Sequence, residues 1–282
     1  VRCVSEPVHR EVRSFGTTTS ELMSLSEWLG SHGCTHVVME ATGVFWIPLF
    51  ETLEGDGFAV MLVDPHRLKH VPGRKTDVLD CQWLQQLHTY GLLSGAFRPA
   101  DDICVVRAYL RQRDMLVKNA AEHIQHMQKA LTQMNVKLQH VVSDITGATG
   151  LAIIRDIVKG ERDAAKLAAH RDGRCKNSAE VIAKSLAGNW RAEHLFALTQ
   201  AVELYDIHQE KIAACDAKIE GLLGKFEDRS GGCEPPRGGK RSADPEMRRT
   251  LFRVAGADLT RIEGIGEETA LTLIGEIGLD MT

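Results

Sequence analysis

The chain has 282 residues, of which 43% are hydrophobic, 26% charged and only 5% aromatic, and its formal net charge at pH 7 is −4. This charge excludes a uniformly basic nucleic-acid binder, although a protein whose basic residues are segregated stays possible. No apolar run reaches the roughly 20 residues that span a bilayer, so we expect no membrane contact. No signal peptide opens the chain, and the seven cysteines form no CxxC pair. These features predict a cytoplasmic protein.

Residues 1–102 alternate short strands with helices, which is typical of an α/β sheet domain. The apolar and β-branched runs that predict strands are flanked by amphipathic segments that end in glycine. The predicted strands are 11–15, 35–40 and 58–64, with a last sheet segment at 94–99, and the predicted helices are 17–33, 43–57 and Asp77 to about Leu92.

A long helical region follows over residues 103–227. Apolar residues from Val117 to Val141 recur at alternating steps of 3 and 4, a heptad seam that predicts a coiled coil. A second seam from Leu198 to Phe226 is interrupted by the polar residues Gln209 and Asp216. The two helices could pair within one chain or between chains, and we expect a homo-oligomer through the coiled coil.

The last part of the chain predicts a linker and a helical hairpin. Glycine, proline and charged residues concentrate between 228 and 245, so we assign 228–258 to a linker. Residues 259–282 then read as helix, glycine turn and helix, a C-terminal helix-hairpin-helix. Gly264 and Gly266 would let backbone N–H groups at a helix N-terminus approach a phosphate, although an ordinary turn between two helices explains the pattern equally well.

Three acidic residues are candidates for a metal site. Asp77 and Asp80 stand three apart at a predicted helix start, behind Arg74 and Lys75, and at this spacing their charges repel. One explanation is the helix macrodipole, which favours acids in a first turn. The other is a metal ion, for which Glu40, at the end of a predicted buried strand, would supply a third carboxylate. Two such ions would hold the attacking and leaving oxygens of a phosphodiester.

Basic residues are concentrated on the predicted coiled coil. Residues 107–142 carry six Lys and Arg side chains against two acids, a stripe that could contact phosphates. A solvated helix face is the commoner explanation of such a run. His123 and His126 have a spacing that zinc could use, but no neighbouring acid or cysteine completes a ligand set.

Three segments resemble the DEDD transposases of the insertion-sequence one-ten group, especially its one-triple-one branch: MEATGVFWIPLFETLE, VDPHRLKHVPGRKTDVLDCQWLQQL and LTRIEGIGEETALTLIGEIGLDM. The resemblance covers nearly the whole chain and implies a RuvC-like domain with an RNase H-like fold. It also implies catalytic Mg²⁺ held by Asp, Glu, Asp and Asp, of which Glu40, Asp77 and Asp80 are the second, third and fourth. DNA recombination guided by an element-encoded RNA, with a serine nucleophile in a C-terminal domain, is implied as well.

The chain departs from this family at both ends. Its first aspartate is Asp56, so the first metal ligand is absent, and it stops at Thr282, so the serine domain is missing. We therefore expect a transposase truncated at both ends and inactive as it stands. Glu263 occupies a position where the family usually has proline, and it places an acid beside the presumed phosphate contact.

Two functions follow from these observations. The first is an insertion-sequence transposase that binds DNA and recombines it with Mg²⁺. In it, Arg74 and Lys75 would steer the phosphate backbone toward the carboxylates. The alternative is a non-catalytic module for nucleic-acid binding and oligomerisation, in which the coiled coil mediates self-association and the hairpin with Gly264 and Gly266 holds DNA or RNA. A RuvC-like nuclease unrelated to transposition would need neither the heptad region nor the hairpin.

Overall fold

The computed structural model describes residues 11–65, 77–236 and 243–280, and the side chains of 77–79 lie outside that description. The chain divides into two compact units, Val1–Arg98 and Pro99–Thr282. Among the described residues, no helix is both long enough and apolar enough to cross a membrane.

The first unit is built around two parallel strands, β1 (His36–Glu40) and β2 (Ala59–Val63), in a register that places Glu40 opposite Val63. Parallel strands need a crossover connection, and α2 (Trp46–Gly55) supplies it. The other helices are α1 (Thr19–Ser31) and α3 (Asp77–Thr89). The buried core of this unit consists of Met39, Phe50, Leu53 and Leu62. The sequence prediction of alternating strands and helices is confirmed for these elements.

Two predicted sheet segments do not form strands. Residues 11–16 have no regular structure, and Val12 is 59% exposed, so this segment has no buried face to hold it against a sheet. At 94–99, Ala96 N–H donates to the carbonyl of Leu62 at 2.7 Å, but this contact is not extended into a ladder. A strand needs repeated backbone pairing, and one bond does not provide it.

The second unit is dominated by two long helices, α4 (Asp101–Gln133) and α8 (Ala192–Leu223). Near the start of α4, Ile103 shares a core with Leu223 at the end of α8. Near the end of α4, Leu131 shares a second core with Leu198 at the start of α8. The two helices therefore run antiparallel along each other.

The two predicted seams meet in this helix pair. Most of their apolar positions are buried, although Val117 is 40% exposed. Helix α4 ends before the predicted seam does, because Asn135 has a φ of 60°, which is not a helical conformation. Pairing within the chain thus satisfies the seams, and the predicted homo-oligomer stays a prediction. The buried seam residues are Ala120, Met127, Leu131, Met134, Leu138, Leu198, Val202, Tyr205, Ile212, Ile219 and Leu223.

Three shorter helices cover the core shared by the end of α4 and the start of α8. They are α5 (Ala148–Lys159), α6 (Ala164–Ala168) and α7 (Ala179–Ser185). Their apolar side chains, including Ile153, Leu167 and Ile182, are fully buried in it.

Part of the predicted linker is a helix, α9 (Pro245–Ala255), so the assignment of 228–258 to a linker is wrong for these residues. The Asp244 side chain caps the helix by accepting hydrogen bonds from the backbone N–H groups of Glu246 and Met247. Leu251 and Val254 are buried in the second core. The Gly- and Pro-rich composition that suggested a linker ends where α9 begins.

Three histidines meet between α4 and α8. The ring centroid of His123 lies 5.0 Å from that of His208 and 5.9 Å from that of His126. Its Nδ1 is buried and has no hydrogen-bond partner within the described part of the chain. Burial lowers the pKa of His123, and the neighbouring His208 and His126 lower it further, against the opposing effect of Glu122. Nothing among the described residues forms a group of three His, Cys, Asp or Glu that could hold a metal ion, here or elsewhere.

We expect the helix pair to lose stability on acidification because of His123. Its folded-state pKa lies below its unfolded value of about 6.5, so the unfolded chain binds the proton more readily. The stabilisation is therefore complete above that value and is lost as the pH falls toward the folded-state pKa. Urea unfolding at about pH 7.5 and 5.5 should show a smaller pH effect in His123→Gln than in wild type, whereas exposed His140→Gln should match wild type. Equal pH effects in all three proteins would refute this role.

Candidate metal and nucleic-acid site

Glu40 lies at the carboxyl end of β1, where ligands bind in open α/β sheets. Its side chain is half-buried, and the Thr42 hydroxyl donates a hydrogen bond of 2.6 Å to Glu40 Oε1. The short turn that follows the strand thus orients the carboxylate.

Helix α3 packs against β1. His88, near the end of the helix, lies beside His36 at the start of the strand, with ring centroids 6.3 Å apart. From His88 back to Asp80 the helix rises about 12 Å, at about 1.5 Å per residue. From His36 forward to Glu40 the strand rises about 13 Å, at about 3.3 Å per residue. If the two elements run antiparallel from this contact, these rises bring the backbone of Asp80 level with Glu40.

The other predicted residues of the site are only partly described. Asp77 is the first residue of α3, one turn before the half-buried Asp80, so the two positions lie on one helix face. The Asp77 side chain is not described, and Arg74 and Lys75 lie outside the described residues. The structure thus places Glu40 at the end of β1 and Asp80 in the first turn of a helix that contacts β1, and the set of three carboxylates stays a prediction.

Sequence analysis missed one acid at this edge of the sheet. Asp64 directly follows β2, and because Val63 lies opposite Glu40, Asp64 stands one residue beyond Glu40 at the same edge. The run FAVMLVD ends in an acid just as THVVME does, so the signal was present in the sequence. Carboxylates at strand ends and a helix start are hard oxygen donors, which fit the ligand preference of Mg²⁺.

The C-terminal hairpin consists of α9, a 3₁₀ turn (Leu259–Arg261) and α10 (Glu267–Ile277), so a single 3₁₀ turn replaces the predicted helix before the glycines. Gly264 has a φ of 86°, which favours glycine, and Gly266 is the N-cap of α10. Glu267 and Glu268 occupy the first turn of α10. These acids suit the helix dipole, but they oppose a phosphate at the same end.

A buried ion pair holds the hairpin turn. Arg248 Nη2 lies 2.5 Å from Asp258 Oδ2, and the Asp258 side chain is only 3% exposed. The Thr260 backbone N–H and hydroxyl donate to Asp258 Oδ1 at 3.2 and 2.6 Å. Burial raises the pKa of Asp258, but the hydrogen bonds from Arg248 and Thr260 outweigh it and keep the pKa below its usual value.

Three cations of the basic stripe are paired within the chain. Arg111 makes a bidentate pair with Glu276 at 3.0 and 2.9 Å. Arg113 pairs with Asp216 at 2.6 Å and with Glu268 at 3.1 Å, and Arg107 Nε lies 3.2 Å from Glu276. The contacts with Glu268 and Glu276 belong to the docking of α10 on α4, where a Cβ on Gly275 would come within 2.3 Å of Leu110, whereas the pair with Asp216 joins α4 to α8. The arginines of the stripe therefore hold the hairpin, which leaves its lysines, such as the exposed Lys118 and Lys129, for phosphates.

A family model described as a transposase, that of the DEDD transposases of the IS110 (insertion-sequence one-ten) type, matches residues 3–136. The matched stretch contains β1, β2 and α1 to α3, with Glu40, Asp77 and Asp80, and it ends just after α4. A search of curated proteins gives no match to the chain. Residues 3–136, just under half of the chain, are therefore identified as a transposase domain of the DEDD, IS110 type.

Proposed function

We propose that this transposase domain binds DNA and recombines it in transposition, with Mg²⁺ held by Glu40, Asp77 and Asp80 on an RNase H-like, RuvC-like fold. The contact of α3 with β1 supports the proposal, because the helix that carries Asp77 and Asp80 lies beside the strand that ends at Glu40, inside the stretch that matches the family. A cytoplasmic location stays a prediction from the sequence.

Each residue has a physical task in this proposal. Thr42 fixes the Glu40 carboxylate through its hydrogen bond, so the ligand is oriented before an ion arrives. Asp77 and Asp80 repel each other on one helix face, and a dication offsets that repulsion. When bound, such an ion supplies charge stabilisation for the phosphodiester oxygens. Arg74 and Lys75 steer the phosphate backbone toward the carboxylates.

An oligomerising nucleic-acid-binding module is the second candidate. Phe196 and Ile207 of α8 are eleven residues apart, about three helical turns, so they lie on the same side of the helix. They are 65% and 49% exposed, as expected for side chains that a second copy of the chain would cover. Gly264 and Gly266 would contact phosphate in this reading, and an element-encoded guide RNA is the second nucleic-acid partner that we propose.

Salt-dependent binding tests the proposed contact with nucleic acid. Affinity for a DNA duplex should fall with salt with a log-log slope of about −0.9 per phosphate neutralised. Arg74→Ala/Lys75→Ala should flatten this slope by about one to two units, because each cation that is lost releases one counterion fewer.

The matched control is Lys159→Ala/Lys166→Ala, which removes two exposed lysines of the second unit. It should leave the slope unchanged. Equal flattening by both double variants would show diffuse binding, and no binding to DNA or RNA at low salt would refute the proposed function.

A further inference from the structure

The turn that follows Glu40 presents an aromatic ring to solvent. Phe45 is 84% exposed and its neighbour Val44 is 68% exposed. Burying a side chain of this kind is worth about 1.5–3 kcal/mol. Single exposed apolar side chains are common on protein surfaces, so the case for Phe45 depends on its place beside Glu40.

The backbone of this turn is held in place by contacts with the rest of the unit, so a loosely held loop does not explain the exposure of Phe45. Gly43 has a φ of 56°, which favours glycine, and two Phe45 ring carbons lie 3.6 Å from where its Cβ would stand. The Trp46 Nε1–H donates to the Gly43 carbonyl at 3.1 Å. Trp46 in turn packs edge-to-face on the core residue Phe50, with ring centroids 5.8 Å apart. The backbone on both sides of Phe45 is thus tied to the core, while the Phe45 ring itself lies in solvent.

This ring belongs to the same turn as the candidate metal ligand. Phe45 stands five residues after Glu40, and the Thr42 that orients Glu40 lies between them. Thr42 and Gly43 are small and exposed, so a flat ligand could approach the turn closely. Nucleic-acid bases stack on aromatic side chains irrespective of sequence, because every base has a π-face.

We propose that Phe45 is a positioning residue that stacks on a nucleic-acid base and so holds the adjoining phosphate near Glu40. The inference rests on the proposed function, which supplies the nucleic acid. A second copy of the chain is the competing occupant, and the experiment below separates the two.

The test compares the full-length wild type with Phe45→Ala, Phe45→Trp and the control Phe97→Ala, which removes another exposed ring (66%) of the same unit. The probe is a single-stranded DNA oligonucleotide carrying 2-aminopurine, titrated at several salt concentrations. Phe45→Ala should weaken binding about 5- to 150-fold, as expected for the loss of one stacked base. It should also abolish the quenching of the probe.

The salt slope separates stacking from charge. It should stay unchanged in Phe45→Ala, because no phosphate contact is removed, whereas Phe45→Trp should retain wild-type affinity. Phe97→Ala should behave as wild type. Because Phe45 is exposed, we expect the variants to keep the circular dichroism of the wild type.

Three results would overturn the proposal. Wild-type affinity in Phe45→Ala would refute stacking while leaving the proposed function intact. A change of oligomeric state in Phe45→Ala by light scattering would assign the ring to a contact between copies. Absence of DNA and RNA binding by the wild type would refute the proposed function, and the stacking role with it.

Discussion

Leu131→Ala should lower the free energy of unfolding by about 2–5 kcal/mol, because the side chain is fully buried between α4 and α8 and its loss leaves a cavity. Leu204→Ala on α8 is the matched control. Because Leu204 is 43% exposed, this substitution should lower the free energy of unfolding by well under that amount. Urea unfolding followed by far-ultraviolet circular dichroism measures both, because the two helices contribute much of the helical signal.

The same titration shows whether the seams pair within one chain. Because the seam residues are buried within the chain, the unfolding midpoint should not change with protein concentration. A midpoint that rises with concentration would show that pairing between chains stabilises the fold. Equal losses from Leu131→Ala and Leu204→Ala would contradict the packing of the helix pair.

Periodicity predicted the elements of the fold where a single face is buried. The strands that became β1 and β2 and the seams of α4 and α8 follow from apolar spacing alone. The segment 11–15 failed because strand propensity does not supply a pairing partner. Helix 245–255 was missed because the glycines and prolines just before it dominated the composition, although its own apolar spacing was helical.

The candidate site was predictable in its residues but not in its geometry. The motif around Asp77 and Asp80 and the strand-end acid Glu40 are visible in the sequence, whereas the contact of α3 with β1, where His88 lies beside His36, is not. The pairing of the arginines in the basic stripe could not be predicted for a similar reason. The partner of Arg111, Glu276, is 165 residues away, and only folding brings the two together.

Asp77→Asn/Asp80→Asn should weaken the binding of a divalent cation by at least about 100-fold, since changes to residues that only orient a metal ligand already cost about 10–100-fold. Both residues belong to the first turn of α3, where the helix dipole would also favour acids without any metal. The matched control is therefore Asp101→Asn/Asp102→Asn, which neutralises two acids in the first turn of α4. A dipole role alone predicts that neither double variant changes cation binding.

The most direct measurement of the central claim is Mn²⁺ binding by water-proton relaxation, with Mg²⁺ as competitor, on the wild type, the two double variants and Glu40→Gln. Mn²⁺ takes the same oxygen ligands as Mg²⁺ and reports its own binding. If the site lies at the carboxyl end of β1, the wild type should bind Mn²⁺ weakly and Mg²⁺ should displace it. Asp77→Asn/Asp80→Asn should abolish this binding and Glu40→Gln should weaken it, whereas Asp101→Asn/Asp102→Asn should leave it unchanged. Identical titrations for the wild type and Asp77→Asn/Asp80→Asn would contradict it.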